Sequence, residues 1–326
     1  MEQARFRALL AAPVDVIWFC PSTMKPLANF IMRGYSQAAL VAAMAALLSL
    51  LMPLLGPISA AAVGLVTLRS GGVPGLLVVG LATLGASVLS ALALGSPWPA
   101  FGILAVFWMP IWILAIVLRS SRSLVMAVQL AVMFGLTLVF ALHAFVGDPA
   151  AYWLQLLEPF QQALVNDSIV QADVSQALFS ELAKWMTGSF AAALVVQTLA
   201  GLFIARWWQA ALYNPGGFGA EFKSFRLRRI VGIPILLLLV LLGFERGAGL
   251  VADIVLVLGI LLVLQGLAVA HGVRQIAGAR VTWIVSLYVL LVLFMPQALF
   301  LTASVGLIDI WADIRARVAR RAKSLG

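Results

Sequence analysis

The chain has 326 residues, of which 63% are hydrophobic and only 10% charged, against about half apolar and about a quarter charged in a soluble domain. That excess of apolar surface excludes a water-soluble globular protein of this length and points to a chain embedded in lipid. The formal net charge is +9, and its placement along the chain matters more than its sum.

In lipid the backbone must satisfy its own hydrogen bonds, so spans are helices or strands of a closed barrel. A barrel reads as polar/apolar alternation. Here runs such as Ala100 to Leu118 are unbroken, which selects helices. The fold class expected is an all-α polytopic transmembrane bundle. The single cysteine, Cys20, excludes an internal disulfide and a cysteine metal centre.

Residues 1–23 do not fit this pattern. Asp15 interrupts their apolar stretch, and no small-residue cleavage pattern follows. Met24 stands before the regular Lys25…Arg33 opening, so the expectation is a disordered or artefactual extension ahead of a single helical domain over residues 24–326.

A span needs about 20 apolar residues. Full or nearly full spans are expected at Val73–Leu94, Ala100–Leu118, Leu124–Phe145, Ser189–Ala205 and Leu250–Ala270, with a shorter one at Ile230–Leu242 and Pro234 in its first turn. Two regions, Ala38–Leu68 and Val281–Ile308, are long for one span and short for two. The first is interrupted by Pro53, Gly56 and Pro57, the second by Pro296. Basic residues mark cytoplasmic loops, and they arbitrate. If both regions are tight hairpins, Arg69, Arg119, Arg122, the 206–229 cluster, Arg274, Arg280 and the basic tail 309–326 share one side. The acidic residues of 147–188 then fall on the other. That gives ten hydrophobic segments with both termini cytoplasmic, in a bacterial inner membrane. A single kinked helix in one of these regions is the alternative. The hairpins also share Met52-Pro53 with Val63-Gly64-Leu65 and Met295-Pro296 with Val305-Gly306-Leu307. Transporter repeats carry such proline-broken helices, and chance in a small apolar alphabet gives the same pattern.

Residues 147–188 form the one sizeable external segment. Trp153, Leu156, Leu157, Phe160 and Leu164, then Val170, Val174, Leu178, Leu182 and Trp185, recur at helical spacing. Two amphipathic helices are expected, resting at the interface or covering a cavity.

No metalloprotease HExxH, no phosphate-binding glycine loop, no GxSxG and no paired carboxylates within a span occur, so no enzyme, cofactor or metal site is expected. Polar groups inside spans are the functional candidates, because burying them in lipid is costly. Asp253, Gln265 and Gln197 are the candidate ligand contacts, with Glu245 and Arg246 available to pair with Asp253. Gln129, Gln197, Gln265, His143 and His271 each read first as interhelical hydrogen bonds, with His271 at the inner interface.

The most distinctive stretch is the cytoplasmic loop 206–229. Trp207 and Trp208 suit the membrane interface. Asn214-Pro215-Gly216-Gly217 is a sharp turn, with proline presetting φ and glycine permitting positive φ. Phe218, Phe222 and Phe225 follow at helical spacing, alongside Glu221 and Arg226. The loop reads either as an interfacial helix held by anionic lipid or as a docking surface for a partner protein. Too little lies outside the bilayer to read nucleic acid.

The stretches "ARWWQAALYNPGGFGAEFKSFRLRR", "QGLAVAHG" and "SVGLIDIWADIRAR", with "FIMRGYSQAALVAA…GLVTLRSGG", resemble the YybS-like family of uncharacterised bacterial membrane proteins. The resemblance runs from about Met24 to the end. It implies a distant grouping with the substrate-binding subunits of energy-coupling-factor transporters, which bind a small ligand from outside and dock to a coupling protein. Those subunits have about six spans, fewer than the segments counted here, and their ligand signature is missing. A transport-related protein is therefore the first expectation, and a membrane scaffold recruiting a partner through loop 206–229 is the second.

Overall fold

The computed structural model describes residues 21–167, 171–244 and 249–324. The expectation for residues 1–23 falls almost wholly outside them, as do Glu245 and Arg246. Among the described residues every regular element is helical, and the all-α polytopic bundle holds. Among the described residues seven helices are long and apolar enough to cross a membrane, and Tyr35–Leu48, Arg229–Phe244 and Val281–Leu293 are shorter apolar ones. Together they account for the ten hydrophobic segments.

Two compact units interleave along the chain. The first comprises residues up to Ile116, Gly201–Glu221 and Ala277–Leu293, and the second Val117–Ala200, Phe222–Ile276 and Phe294 onward.

In the first unit, α1 (Pro21–Ile31) precedes α2 (Tyr35–Leu48), a 3-10 turn (Pro53–Leu55) and α3 (Gly56–Ser70). The hairpin expected in 38–68 is therefore present, and α2 packs on α3. Proline explains the break: Pro53 and Pro57 each sit at a helix start, where no amide is needed. Helices α4 (Gly72–Leu94) and α5 (Trp98–Ile103) follow, then a π turn over Leu104–Trp108 and α6 (Met109–Ser121). Small residues bring these helices close. The buried side of α2 consists of alanines, among them Ala38, Ala42 and Ala46. A β-carbon at Gly64 of α3 would stand 2.9 Å from that of Ala205. One polar thread crosses the packing: Trp108 Nε1–H donates to Ser59 Oγ at 2.9 Å, and Ser59 donates to the Ala42 carbonyl at 2.7 Å. Helix α13 (Val281–Leu293) also belongs here.

The second unit holds α7 (Leu124–Val146), α8 (Pro149–Asn166), the first part of α9 (Ala172–Tyr213), α11 (Arg229–Phe244), α12 (Leu250–Ile276), α14 (Met295–Ala312) and α15 (Ile314–Ser324). Its helix starts are legible signals. Ser123 accepts the Met126 amide ahead of α7, and Asp148 accepts the Ala151 amide with Pro149 next to it. The region 281–308 divides at Phe294 into α13 and α14, with Pro296 at the start of α14.

Two expectations are corrected. The second amphipathic helix of 147–188 is not separate from the span Ser189–Ala205. Both belong to α9, which runs for 42 residues, about 63 Å at 1.5 Å per residue. No proline lies between Ala172 and Tyr213, so nothing stops it. Pro234 lies beyond the first turn of α11, because that helix starts at Arg229.

The tightest crossing joins α12 to α14. A β-carbon at Gly306 would overlap the Leu262 carbonyl oxygen, and one at Gly266 would overlap the Thr302 carbonyl oxygen. Each obstacle is backbone, which cannot swing aside. Gly306→Ala is therefore expected to destabilise the protein by about 1–3 kcal/mol or more. Gly259→Ala, on the same α12 with open space around it, is expected to be neutral or slightly stabilising. Thermal melting in detergent compares them, and equal behaviour contradicts the packing described.

Candidate functional site

Two polar networks lie within the second unit. The first forms where α12 begins. Asp253, in the first turn of α12, is 2% exposed. Its Oδ2 lies 2.8 Å from Nε2 of His143 on α7, and its Oδ1 accepts the Gly188 amide of α9 at 2.8 Å. With the carboxylate ionised and acceptor-only, Nε2 carries the hydrogen. The His143 ring keeps about a quarter of its side chain exposed, so the pair is reachable from its edge. Gly188 is required: a β-carbon there would stand 2.6 Å from both the Cα and Oδ1 of Asp253. Next to it, Thr187 Oγ1 accepts Trp153 Nε1–H of α8 at 2.9 Å, and the Trp153 and Phe190 rings lie 5.4 Å apart. Four helices meet through one carboxylate and its neighbours.

The second network lies toward the end of α12. Gln265 is fully buried and used at both ends of its amide. Oε1 accepts the Leu227 amide at 2.9 Å, and Nε2 donates to Asp309 Oδ2 of α14 at 2.7 Å. Asp309, also fully buried, accepts as well from Arg315 of α15 at 3.0 Å and from the Ile314 amide at 2.8 Å. The other guanidinium nitrogen of Arg315 donates to the carbonyls of Lys223 and Phe225 at 2.8 and 2.9 Å. A buried ion pair with both carboxylate oxygens engaged fastens segment 223–227 to three helices. Asp313 closes the arrangement in the left-handed conformation, φ 47°, between α14 and α15. Burial works against its ionisation. The hydrogen bond from Arg226, the Ala316 amide and the charges of Arg226 and Arg315 overcome this and hold its carboxyl below the usual 3.8.

The sequence candidates thus separate. Asp253 and Gln265 are both buried hubs, each in a different network. Gln197 is half-buried on α9 and belongs to neither. Two hub residues were not among the ligand candidates. His143, read first as an interhelical hydrogen bond, makes one to Asp253. Asp309 was read as part of the basic tail, although its flanks Gly306-Leu307-Ile308 and Ile310-Trp311 are those of an apolar helix.

Loop 206–229 is largely folded against the protein. Trp208 is fully buried, with its indole N–H unpaired, and Trp207 is half-buried. Arg206 ion-pairs with Glu221, and the guanidinium of Arg69 lies 4.2 Å from the ring centre of Tyr213. The Asn214-Pro215-Gly216-Gly217 turn forms as expected. The Gly217 amide donates to the Asn214 carbonyl at 3.0 Å, with Gly216 at φ 86°. Helix α10 (Gly217–Lys223) carries Phe218 and Phe222, both half-buried. Phe225 lies beyond it and is 2% exposed, so the three phenylalanines do not form one exposed stripe. What the loop presents outward is Asn214, Pro215, Gly216, Arg226, Arg228 and Arg229.

No protein family, curated protein or solved structure matches the chain.

Removing one partner of a buried pair strands the other. Asp309→Ala is expected to cost about 3–5 kcal/mol, while the double change Asp309→Leu with Arg315→Met costs less than either single change. Melting of the three variants decides this, and additive losses contradict it. The Arg226–Asp313 contact carries a pH signature. Because the folded pKa of Asp313 is depressed, the contact contributes fully above about 3.8 and is lost as pH falls through the lower folded value. A double-mutant cycle at pH 7 and at pH 2.5 should give a small coupling that vanishes at the acid end.

Proposed function

We propose that the chain is a transport-related, multi-pass protein of the bacterial cytoplasmic membrane that takes a small ligand among the helices of its second unit. Asp253 is the group that answers to that ligand. The observation that carries the reading is the His143–Asp253 pair. Ionisable groups set among apolar helices are costly and mark ligand or ion pathways. This pair also holds α7, α9 and α12 together. A cationic group or a proton that competes with His143 for the carboxylate removes that tie, so one binding event changes the packing of three helices. Gln265 leaves the ligand set, because both ends of its amide are engaged.

On the topology expected from the basic clusters, the His143–Asp253 end faces outside and loop 206–229 faces the cytoplasm. The outward Asn214–Gly216 turn is the surface for a coupling partner. The resemblance to the YybS-like family, and through it to substrate-binding transporter subunits, supports the same reading at the level of fold analogy. A membrane scaffold is the second reading. It is favoured by the Asp309–Arg315 network, which holds segment 223–227 in place through the protein's own side chains.

The test is purification of the full-length protein from native membranes in mild detergent, with mass spectrometry of bound small molecules and proteins. The transport reading expects one stoichiometric small molecule on the wild type. It expects that molecule to be lost from Asp253→Asn, with α-helical content and elution volume unchanged. A constant set of partner proteins on both forms, with no small molecule, sinks it in favour of the scaffold.

A further inference from the structure

Cationic side chains gather where apolar helices of the second unit end. Arg229 opens α11 and Arg274 lies in the last turn of α12. The contacts described above hold these ends beside segment 223–229. Arg315 binds the Lys223 and Phe225 carbonyls, and its Cδ lies 2.9 Å from where a β-carbon of Gly272 would stand. The Phe222 ring packs edge-on against His271, with centroids 5.7 Å apart. Lys223 and Arg274 are both within electrostatic reach of that same histidine. They therefore flank one turn of α12.

The carboxylates at this end, Asp309 and Asp313, are already engaged with Arg315 and Arg226. Arg274 is left over. Its Nε is buried and makes no hydrogen bond. A guanidinium cannot shed its proton to escape this, and a buried donor left unpaired is costly. Along α11, directly after Arg229, the side chains of Ile230, Ile233 and Leu237 are exposed, at 74%, 52% and 59%. They recur at i, i+3 and i+7, a stripe along one face of the helix. Cationic donors at the end of the helices thus continue into an exposed apolar strip.

We propose that Lys223 and Arg274 bind the phosphodiester headgroup of an anionic phospholipid whose acyl chain lies along α11. Arginine suits phosphate because its planar donors match the oxygens. The apolar strip selects a lipid over a soluble phosphate, a peptide or a nucleic acid. The headgroup must carry net negative charge, because in a zwitterionic lipid the attached ammonium offsets the phosphate. The site does not depend on whether the protein transports anything.

Full-length protein in nanodiscs of phosphatidylcholine, with or without phosphatidylglycerol, is extracted into detergent, washed and examined by native mass spectrometry. The expected result is one phosphatidylglycerol retained through washing. Its retention falls at least about tenfold in the Lys223→Gln/Arg274→Gln variant, as loss of a charge-assisted hydrogen bond implies. It falls less in Arg274→Lys, which also serves if the double variant does not fold. Arg320→Gln/Arg321→Gln, exposed on α15, retains the lipid. Unchanged retention in both Arg274 variants overturns the proposal. An equal fall in the Arg320/Arg321 variant also overturns it, since the effect is then diffuse charge. So does inorganic phosphate that raises the melting temperature of the lipid-free protein as much as phosphatidylglycerol does.

Discussion

A carboxylate placed among apolar helices has no water to turn to, so its donors must come from the protein. Asp253 takes them from His143 and from the backbone of Gly188, and Asp309 takes them from Gln265, Arg315 and the Ile314 amide. The donors come from α7 and α9 for Asp253, and from α12 and α15 for Asp309. Satisfying one buried acid therefore fixes the register of several helices at once. Apolar surface cannot do this alone, because lipid tails are as apolar as the side chains they would replace. The Trp108–Ser59–Ala42 thread does the same for the first unit with neutral groups.

These ties are short, and they work only if the helices approach closely. Glycine and alanine provide the approach. Gly188 brings α9 within hydrogen-bonding distance of Asp253, and Gly266 and Gly306 bring α12 and α14 into backbone contact. The Val-Gly-Leu tripeptides that the two proline-broken regions share each place their glycine at such a crossing, Gly64 against Ala205 and Gly306 against Leu262. Their likeness thus has a packing cause within each unit.

The same economy shapes segment 206–229. Two of its aromatic residues and one leucine seat it: Trp208, Phe225 and Leu227 are buried, and Arg315 reaches from α15 to hold its carbonyls. Its hydrophilic remainder stays outward, as the Asn214–Gly216 turn and the arginines. The two polar networks differ in kind. The Gln265–Asp309–Arg315 network is closed on itself, with both ends of the Gln265 amide and both Asp309 oxygens engaged inside. The His143–Asp253 pair keeps one edge of its imidazole open, which makes it the more responsive of the two.

The sequence by itself determined the class of the protein and most of its segmentation. Long apolar runs force helices in lipid, and proline and glycine mark where they stop, so the ten segments and the turn at Asn214–Gly217 were legible. It also named Asp253 and Gln265 as unusual, since polar groups in such runs stand out. It did not join Val174–Trp185 to the span that follows, because amphipathic and apolar stretches look like separate elements until one unbroken hydrogen-bond ladder connects them. Nor could it pair His143 with Asp253, 110 residues apart, or take Asp309 out of the basic tail. Partnership across that distance is a property of how helices cross. Only the tertiary structure decides which donor reaches which buried oxygen, and so which polar residues tie the helices together.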